Sequence, residues 1–117
     1  MEIYLYSSCT SCRKAEEVIR ASGTPYQRRD YFKDRFTIPE LRALLERAGL
    51  TAGEALSTRS KAYTALGLAE KDLSDEEILA LMVNEPTLLR RPLVLGNDST
   101  VVGYNAAGIQ ALIEQSR

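Results

Sequence analysis

Histidine is absent from this sequence, and its only two cysteines, Cys9 and Cys12, lie three positions apart. A four-ligand zinc site would need carboxylates or a second chain, so we expect no metal site. Also absent are an apolar run near the roughly 20 residues that span a bilayer and the basic start of a secretion signal. We therefore expect a soluble, cytoplasmic protein with no membrane partner. In that compartment thiols stay reduced, which favours two close cysteines being reactive rather than structural.

An excess of basic residues is missing as well. The chain has 15 Lys and Arg against 16 Asp and Glu, a net charge of -1, whereas a protein that binds duplex DNA needs a basic surface. We expect no direct nucleic-acid binding. The chain has 117 residues, 44% of them hydrophobic, and no linker or low-complexity segment. It is predicted to form one domain over residues 1–117 and to be a monomer.

The pattern of the first thirty residues predicts a strand, a helix and a second strand. Apolar residues alternate over residues 2–6, a polar turn follows at residues 7–11, and apolar positions at helical spacing continue to Gly23. Residues 26–30 are predicted to form the second strand, parallel to the first. Cys9 would then lie where the first strand meets the helix.

The middle of the chain is predicted to be helical, with an insertion over about residues 37–86. Thr37 and Ser74 each begin a capping-box pattern, with a glutamate three positions later. After Pro92, residues 93–95 and 100–104 predict a hairpin, and Asn105 is expected to cap a last helix. The fold class is therefore α/β, with a βαβ half, a helical insertion and a ββα half. A C-x-x-C beside a βαβ pattern is typical of a thioredoxin-like fold.

Cys9 is the candidate nucleophile. A cysteine ahead of a helix faces unpaired backbone N–H groups and the positive end of the helix dipole, and both favour the thiolate. Cys12 follows on the first turn, where it could attack a mixed disulfide or another adduct on Cys9. The alternative is a pair of inert buried thiols, which the polar surroundings at residues 7–11 disfavour.

Arginines are the candidate oxyanion ligands. Arg59 lies in a Ser/Thr-rich loop, and Arg90 and Arg91 precede Pro92, so two loops could bring guanidinium groups towards the thiolate. Such fork-shaped donors suit arsenate, phosphate or sulfate. The spacing does not establish this convergence, and the alternative is that each arginine is an ordinary solvated charge. Pro92 either protects a sheet edge or follows a cis bond that presents backbone to a thiol substrate.

Four motifs together resemble the ArsC/Spx family, which includes glutaredoxin-linked arsenate reductases and the Spx transcriptional regulators. The motifs are Cys9-Thr10-Ser11-Cys12-Arg13-Lys14-Ala15, Ser57-Thr58-Arg59-Ser60-Lys61, Leu88-Leu89-Arg90-Arg91-Pro92 and Val102-Gly103-Tyr104-Asn105. The resemblance covers nearly the whole chain and implies a thioredoxin-like fold.

The family's arsenate reductases imply a role for each candidate residue. A cysteine matching Cys9 attacks arsenate, and arginines, one matching Arg91 and another close to Arg59, hold the oxyanion. Tyr104 stands where a third family arginine is expected. The adduct would be resolved by glutathione or by Cys12. No cofactor would be bound, and glutathione, glutaredoxin or thioredoxin would supply the electrons. The resemblance thus predicts an arsenate reductase-type oxidoreductase.

The family's Spx branch implies an alternative function. Spx uses its C-x-x-C as a disulfide switch and binds the C-terminal domain of the RNA polymerase α subunit. Two departures count against it: Thr51 stands where Spx has a glycine that contacts polymerase, and the Spx tail is not found after the last helix. A third hypothesis is a glutaredoxin-like carrier, which keeps the cysteines but needs no oxyanion site.

Overall fold

A computed structural model describes residues 1–116, which fall into two compact units. The first unit comprises Met1–Asp34 and the chain from Arg91 onward, and the second comprises Arg35–Arg90. The helical insertion expected over about residues 37–86 lies within the second unit. The assignment of residues 1–117 to a single domain stays a prediction.

The first unit contains a four-stranded sheet. Its strands are β1 (Glu2–Leu5), β2 (Gln27–Asp30), β3 (Leu93–Leu95) and β4 (Thr100–Val102), in the order β2-β1-β3-β4. β1 is parallel to β2, as predicted, and antiparallel to β3, which pairs with β4 as the predicted hairpin. β3 has its predicted bounds, whereas β1 and β2 are one residue shorter than predicted and β4 is two residues shorter. β1 stops before Tyr6, whose carbonyl accepts the Cys9 N–H. β4 stops before Gly103, which has a left-handed backbone with φ 81°.

Six α-helices lie within residues 1–116: α1 (Thr10–Ser22), α2 (Ile38–Ala48), α3 (Ala52–Ala55), α4 (Lys61–Ala65), α5 (Asp75–Asn84) and α6 (Ala106–Gln115). The predicted capping boxes at Thr37 and Ser74 are both formed, and the Asn105 side chain accepts the Gly108 N–H at the start of α6. None of the helices in the described residues is long and apolar enough to cross a membrane.

Helices α1 and α6 belong to the first unit and contribute to its core. The core residues are at most 1% exposed: Ile3, Leu5, Cys12, Ala15, Ile19, Val94, Ile109, Leu112 and Ile113. The apolar positions that alternate along β1 and recur along α1 and α6 thus face one another. Burial of this apolar area is the main stabilising contribution to the unit, and it fixes where α1 starts relative to the sheet.

Candidate active site

Cys9 is the N-cap residue of α1. It has an extended backbone (φ -84°, ψ 125°) and is partly buried. Its N–H donates to the Tyr6 carbonyl (2.9 Å), and its carbonyl accepts the Arg13 N–H (3.0 Å). The side chain forms no capping hydrogen bond of normal geometry. Cys9 therefore lies at the N-terminus of α1, at the predicted strand-to-helix junction. Its role as the nucleophile stays a prediction.

The surroundings of Cys9 favour its thiolate. Burial alone would raise the pKa of Cys9, but the Cys12 N–H, the Cys12 thiol and the Arg91 guanidinium together outweigh it and lower that pKa below its ordinary value. The positive charge and the donors all stabilise the ionised form.

The pKa of Cys12 is shifted in the opposite direction. It is fully buried in the core of the first unit, and burial, with the nearby Cys9 sulfur, raises its pKa to about 12. A hydrogen bond with the Tyr6 backbone and the Arg91 charge act the other way but are smaller. Neither cysteine is in a disulfide. The Cys9 thiol therefore ionises more readily than the Cys12 thiol.

Arg91 is the predicted arginine that the structure places beside Cys9. The Arg91–Pro92 peptide bond is cis, which is one of the two alternatives predicted for Pro92. The Pro92 carbonyl accepts the Gly103 N–H (2.8 Å). The Arg91 guanidinium carbon lies 5.4 Å from the Phe32 ring centroid. Its Nε is buried and, within residues 1–116, has no hydrogen-bond partner. A buried cationic donor without a partner suits an anionic ligand.

Three aromatic side chains lie at the same edge of the sheet. The rings of Tyr6 and Phe32 are stacked, with centroids 3.9 Å apart and planes inclined by 16°, and Tyr31 meets Phe32 at 5.2 Å. Tyr31 is buried, which raises the pKa of its phenol, and Arg91 partly offsets this. None of these three residues was among the site residues predicted from the sequence. The signal that was available is their position directly after β1 and β2, since parallel strands end at the same edge.

Asp30 connects β2 to the loop that carries Cys9. Its carboxylate is buried and accepts hydrogen bonds from the Ser7 N–H (3.1 Å), the Ser7 hydroxyl and the Phe32 N–H (3.0 Å). Burial alone would raise the pKa of Asp30, but these donors lower it below its ordinary value. The sequence analysis missed this residue too, because the contact joins positions 23 apart in the chain.

The two remaining candidate arginines belong to the second unit. Arg59 is exposed in the turn between α3 and α4, and Arg90 is exposed, with its guanidinium donating to the Glu54 carbonyl (3.3 Å). Their proposed contact with the oxyanion stays a prediction. Tyr104, at the position of the third family arginine, is exposed in the first unit, with Lys14 Nζ 6.0 Å from its ring centroid. In residues 1–116 no cluster of three carboxylate or thiol ligands is placed to hold a metal ion.

Comparison with known proteins shows similarity over nearly the whole chain. Residues 4–112 match the model of the ArsC family. The chain is 35% identical over 105 residues to the regulatory protein MgsR of Bacillus subtilis, covering 90% of this chain and 83% of that protein. It is 34% identical over 111 residues to the global transcriptional regulator Spx of Staphylococcus aureus, covering 95% of this chain and 85% of Spx.

A solved structure shows the same fold. An arsenate reductase from Vibrio cholerae matches with a TM-score of 0.83 and 24% identity, covering 96% of this chain and 98% of the reductase. The predicted thioredoxin-like α/β fold is thereby confirmed.

Proposed function

This chain belongs to the ArsC family, and from that premise we propose that it is a thiol-dependent reductase of the arsenate reductase type. One observation carries the proposal: Cys9, whose surroundings favour the thiolate, lies beside Arg91, and the buried Nε of Arg91 has no hydrogen-bond partner among residues 1–116. A nucleophile and an unsatisfied cationic donor at one point suit an electrophilic oxyanion. The protein would act in the cytoplasm, where thiol reductants are available.

The reaction uses two thiols for each arsenate. The Cys9 thiolate attacks the arsenic atom, forms an S–As bond and displaces a hydroxide, which leaves as water after taking a proton. A second thiolate then attacks the Cys9 sulfur. The S–As bond breaks, its electron pair stays on arsenic, and arsenic(V) leaves as arsenite while a disulfide forms. An external thiol, glutathione or a glutaredoxin or thioredoxin, reduces that disulfide. Arg91 would hold an arsenate oxygen during the first step.

Cys12 is the candidate for the second thiol if the disulfide forms within the chain. Burial is the main cause of its raised pKa, but the neighbouring Cys9 charge adds to it. In the arsenate adduct the Cys9 sulfur no longer carries the thiolate charge, and the remaining negative charge lies on arsenate oxygens, one of which Arg91 would hold. The contribution of the Cys9 thiolate to the raised pKa of Cys12 is therefore lost when Cys12 is needed to attack.

Multiple-turnover production of arsenite from arsenate tests the proposal. One reaction contains glutathione and glutaredoxin, and another contains thioredoxin and its reductase. We expect Cys9→Ser to abolish turnover in both, and Cys12→Ser to abolish it only where the internal disulfide is the route. Arg91→Ala should lower kcat/KM for arsenate about tenfold to a hundredfold, the effect of losing a hydrogen bond to a charged group.

A matched control separates Arg91 from arginines in general. Arg42, on α2, pairs with Glu76 at the surface, and Arg42→Ala should leave kcat/KM unchanged. Absence of arsenite from the wild-type protein with both reductants would refute the reductase. Equal losses in Arg91→Ala and Arg42→Ala would refute the oxyanion role of Arg91.

A redox-dependent regulator is the second candidate function, and the sequence relatives favour it. MgsR and Spx, both named as regulators, are 35% and 34% identical to this chain. In this alternative, oxidation joins Cys9 to Cys12 and alters binding to the C-terminal domain of the RNA polymerase α subunit. Pull-down with that domain distinguishes the two functions: retention by the oxidised protein but not by reduced protein or Cys12→Ser would support the regulator.

A further inference from the structure

The segment that leaves β2, residues 30–32, lies at the sheet edge that carries the Cys9 loop. The Tyr31 N–H donates to the Leu5 carbonyl (3.2 Å), which extends the parallel pairing one residue past the strands. The chain after β1 and the chain after β2 therefore leave the sheet side by side. This brings Phe32 against Tyr6, three positions before Cys9.

Phe32 has contacts on both sides of the site. Its ring stacks on Tyr6 at 3.9 Å and lies under the Arg91 guanidinium at 5.4 Å. An arginine over an aromatic face is attracted by the ring's electron distribution, and its planar group favours that arrangement. The guanidinium also has hydrogen-bond interactions with Cys9 and Tyr31, while its Nε has no hydrogen-bond partner among the described residues. The Phe32 ring is a further contact that acts on the orientation of the guanidinium.

One carboxylate fixes both the ring and the thiol loop. Asp30 accepts the Phe32 N–H (3.0 Å), and it also accepts the Ser7 N–H (3.1 Å) in the loop before Cys9. The buried Asp30 carboxylate thus holds both the backbone of Phe32 and the loop that leads to Cys9. Displacement of the ring would move Arg91 relative to the sulfur.

We propose that Phe32 is a positioning residue for the reactive thiol, acting by holding the Arg91 guanidinium against Cys9. The inference rests on the proposal above that Cys9 is the reactive thiol, and it applies equally to the reductase and to the regulator. It predicts that replacing the ring by an aliphatic side chain weakens the effect of Arg91 on Cys9.

The test is the rate of Cys9 alkylation by iodoacetamide as a function of pH, with mass spectrometry to assign the modified cysteine. At neutral pH we expect Phe32→Leu to slow alkylation about two- to fivefold, as expected for losing a cation–π contact. Arg91→Ala should slow it about tenfold or more. In both variants the midpoint of the pH profile should move upward, with the rate recovering at high pH. Phe32→Tyr, which keeps the ring, should behave as wild type.

The double variant decides between positioning and general damage. If Phe32 acts through Arg91, Phe32→Leu should have no further effect in the Arg91→Ala protein. Tyr26→Leu is the matched control, since Tyr26 is a partly buried aromatic of the same unit whose hydroxyl bonds Glu16. It should leave the profile unchanged.

Two results would overturn the proposal: an unchanged profile in Phe32→Leu, or an equal slowing by Phe32→Leu with and without Arg91. Because the assay contains no arsenate, either result is distinct from a failure to detect arsenite. Circular dichroism and thermal melting of each variant identify any loss of folded protein.

Discussion

Cys9 and Cys12 are three residues apart, yet their surroundings give them opposite acidities. At the start of α1, the Cys12 N–H, the Cys12 thiol and the Arg91 guanidinium lower the pKa of Cys9 despite its partial burial. Cys12 is enclosed by the apolar core, and its pKa is raised to about 12. Spacing alone predicted the pair and the order of attack. The degree of burial that separates them depends on side chains from α6 and β3, distant in the sequence.

Asp30 should make the stability of the protein depend on pH. Because its folded pKa lies below the unfolded value of about 3.9, its contribution is fully present above that value and is lost as the pH falls through the folded pKa. We expect Asp30→Asn to lower the free energy of unfolding at pH 7 by about 1–3 kcal/mol. As the pH falls, the free energy of unfolding of Asp30→Asn should decline less steeply than that of wild type.

Urea unfolding at several pH values between about 6 and about 2 measures this difference. Asp34→Asn is the control, because Asp34 is exposed and pairs with Arg29 at the surface. Parallel curves for wild type and Asp30→Asn would show that Asp30 contributes nothing to the pH dependence.

Local sequence signals sufficed to place Cys9 at the start of a helix but not to identify the residues that surround it. Cys9, with its polar neighbours, is recognisable because the strand-to-helix junction is encoded within a dozen residues. Tyr31 and Phe32 follow a strand and have the composition of ordinary core. Their contact with Arg91 spans about sixty positions, and no local pattern encodes a contact of that separation.

At the scale of elements, helix starts were the most predictable feature, because a cap is a local interaction. Thr37, Ser74 and Asn105 all bond the N–H three positions later, as their sequence contexts predicted. Strand pairing was only partly predictable. The hairpin of β3 and β4 follows from its turn, whereas the antiparallel pairing of β1 with β3 depends on tertiary packing across ninety residues.

The cap of α6 should contribute measurably to stability. Asn105→Ala removes the acceptor of the Gly108 N–H (3.0 Å) and should cost about 1 kcal/mol in the free energy of unfolding. Urea denaturation measures the change. Gln110→Ala, at an exposed position of the same helix, should stay within a few tenths of a kcal/mol. A loss of similar size in both variants would argue against the cap.

At the scale of the whole molecule, the described chain divides into two units, and the second, Arg35–Arg90, contains the insertion predicted over about residues 37–86. The first unit holds Cys9, Cys12, Arg91 and Pro92, whereas Arg59 and Arg90 lie in the second. The order of elements was predictable because each half of the first unit has its own local pattern. The assignment of Arg90 and Arg91 to different units was not predictable, because the two residues are adjacent in the sequence and differ only in their surroundings in the folded chain.

The missing side-chain cap at Cys9 also affects the stability of the whole chain. Among the α-helices of residues 1–116, only α1 begins without a side-chain cap bond. Serine is among the best N-cap residues. We therefore expect Cys9→Ser, measured by urea unfolding at about pH 5, to be more stable than wild type by about 0.5–1 kcal/mol.

The same exchange at Cys12 is the control. It places a hydroxyl in a fully buried core position and should destabilise the protein by about 1–3 kcal/mol. A Cys9→Ser protein no more stable than wild type would contradict the argument. On this expectation the chain keeps, at the start of α1, a residue that is unfavourable for folding, and selection for stability alone would replace the proposed nucleophile.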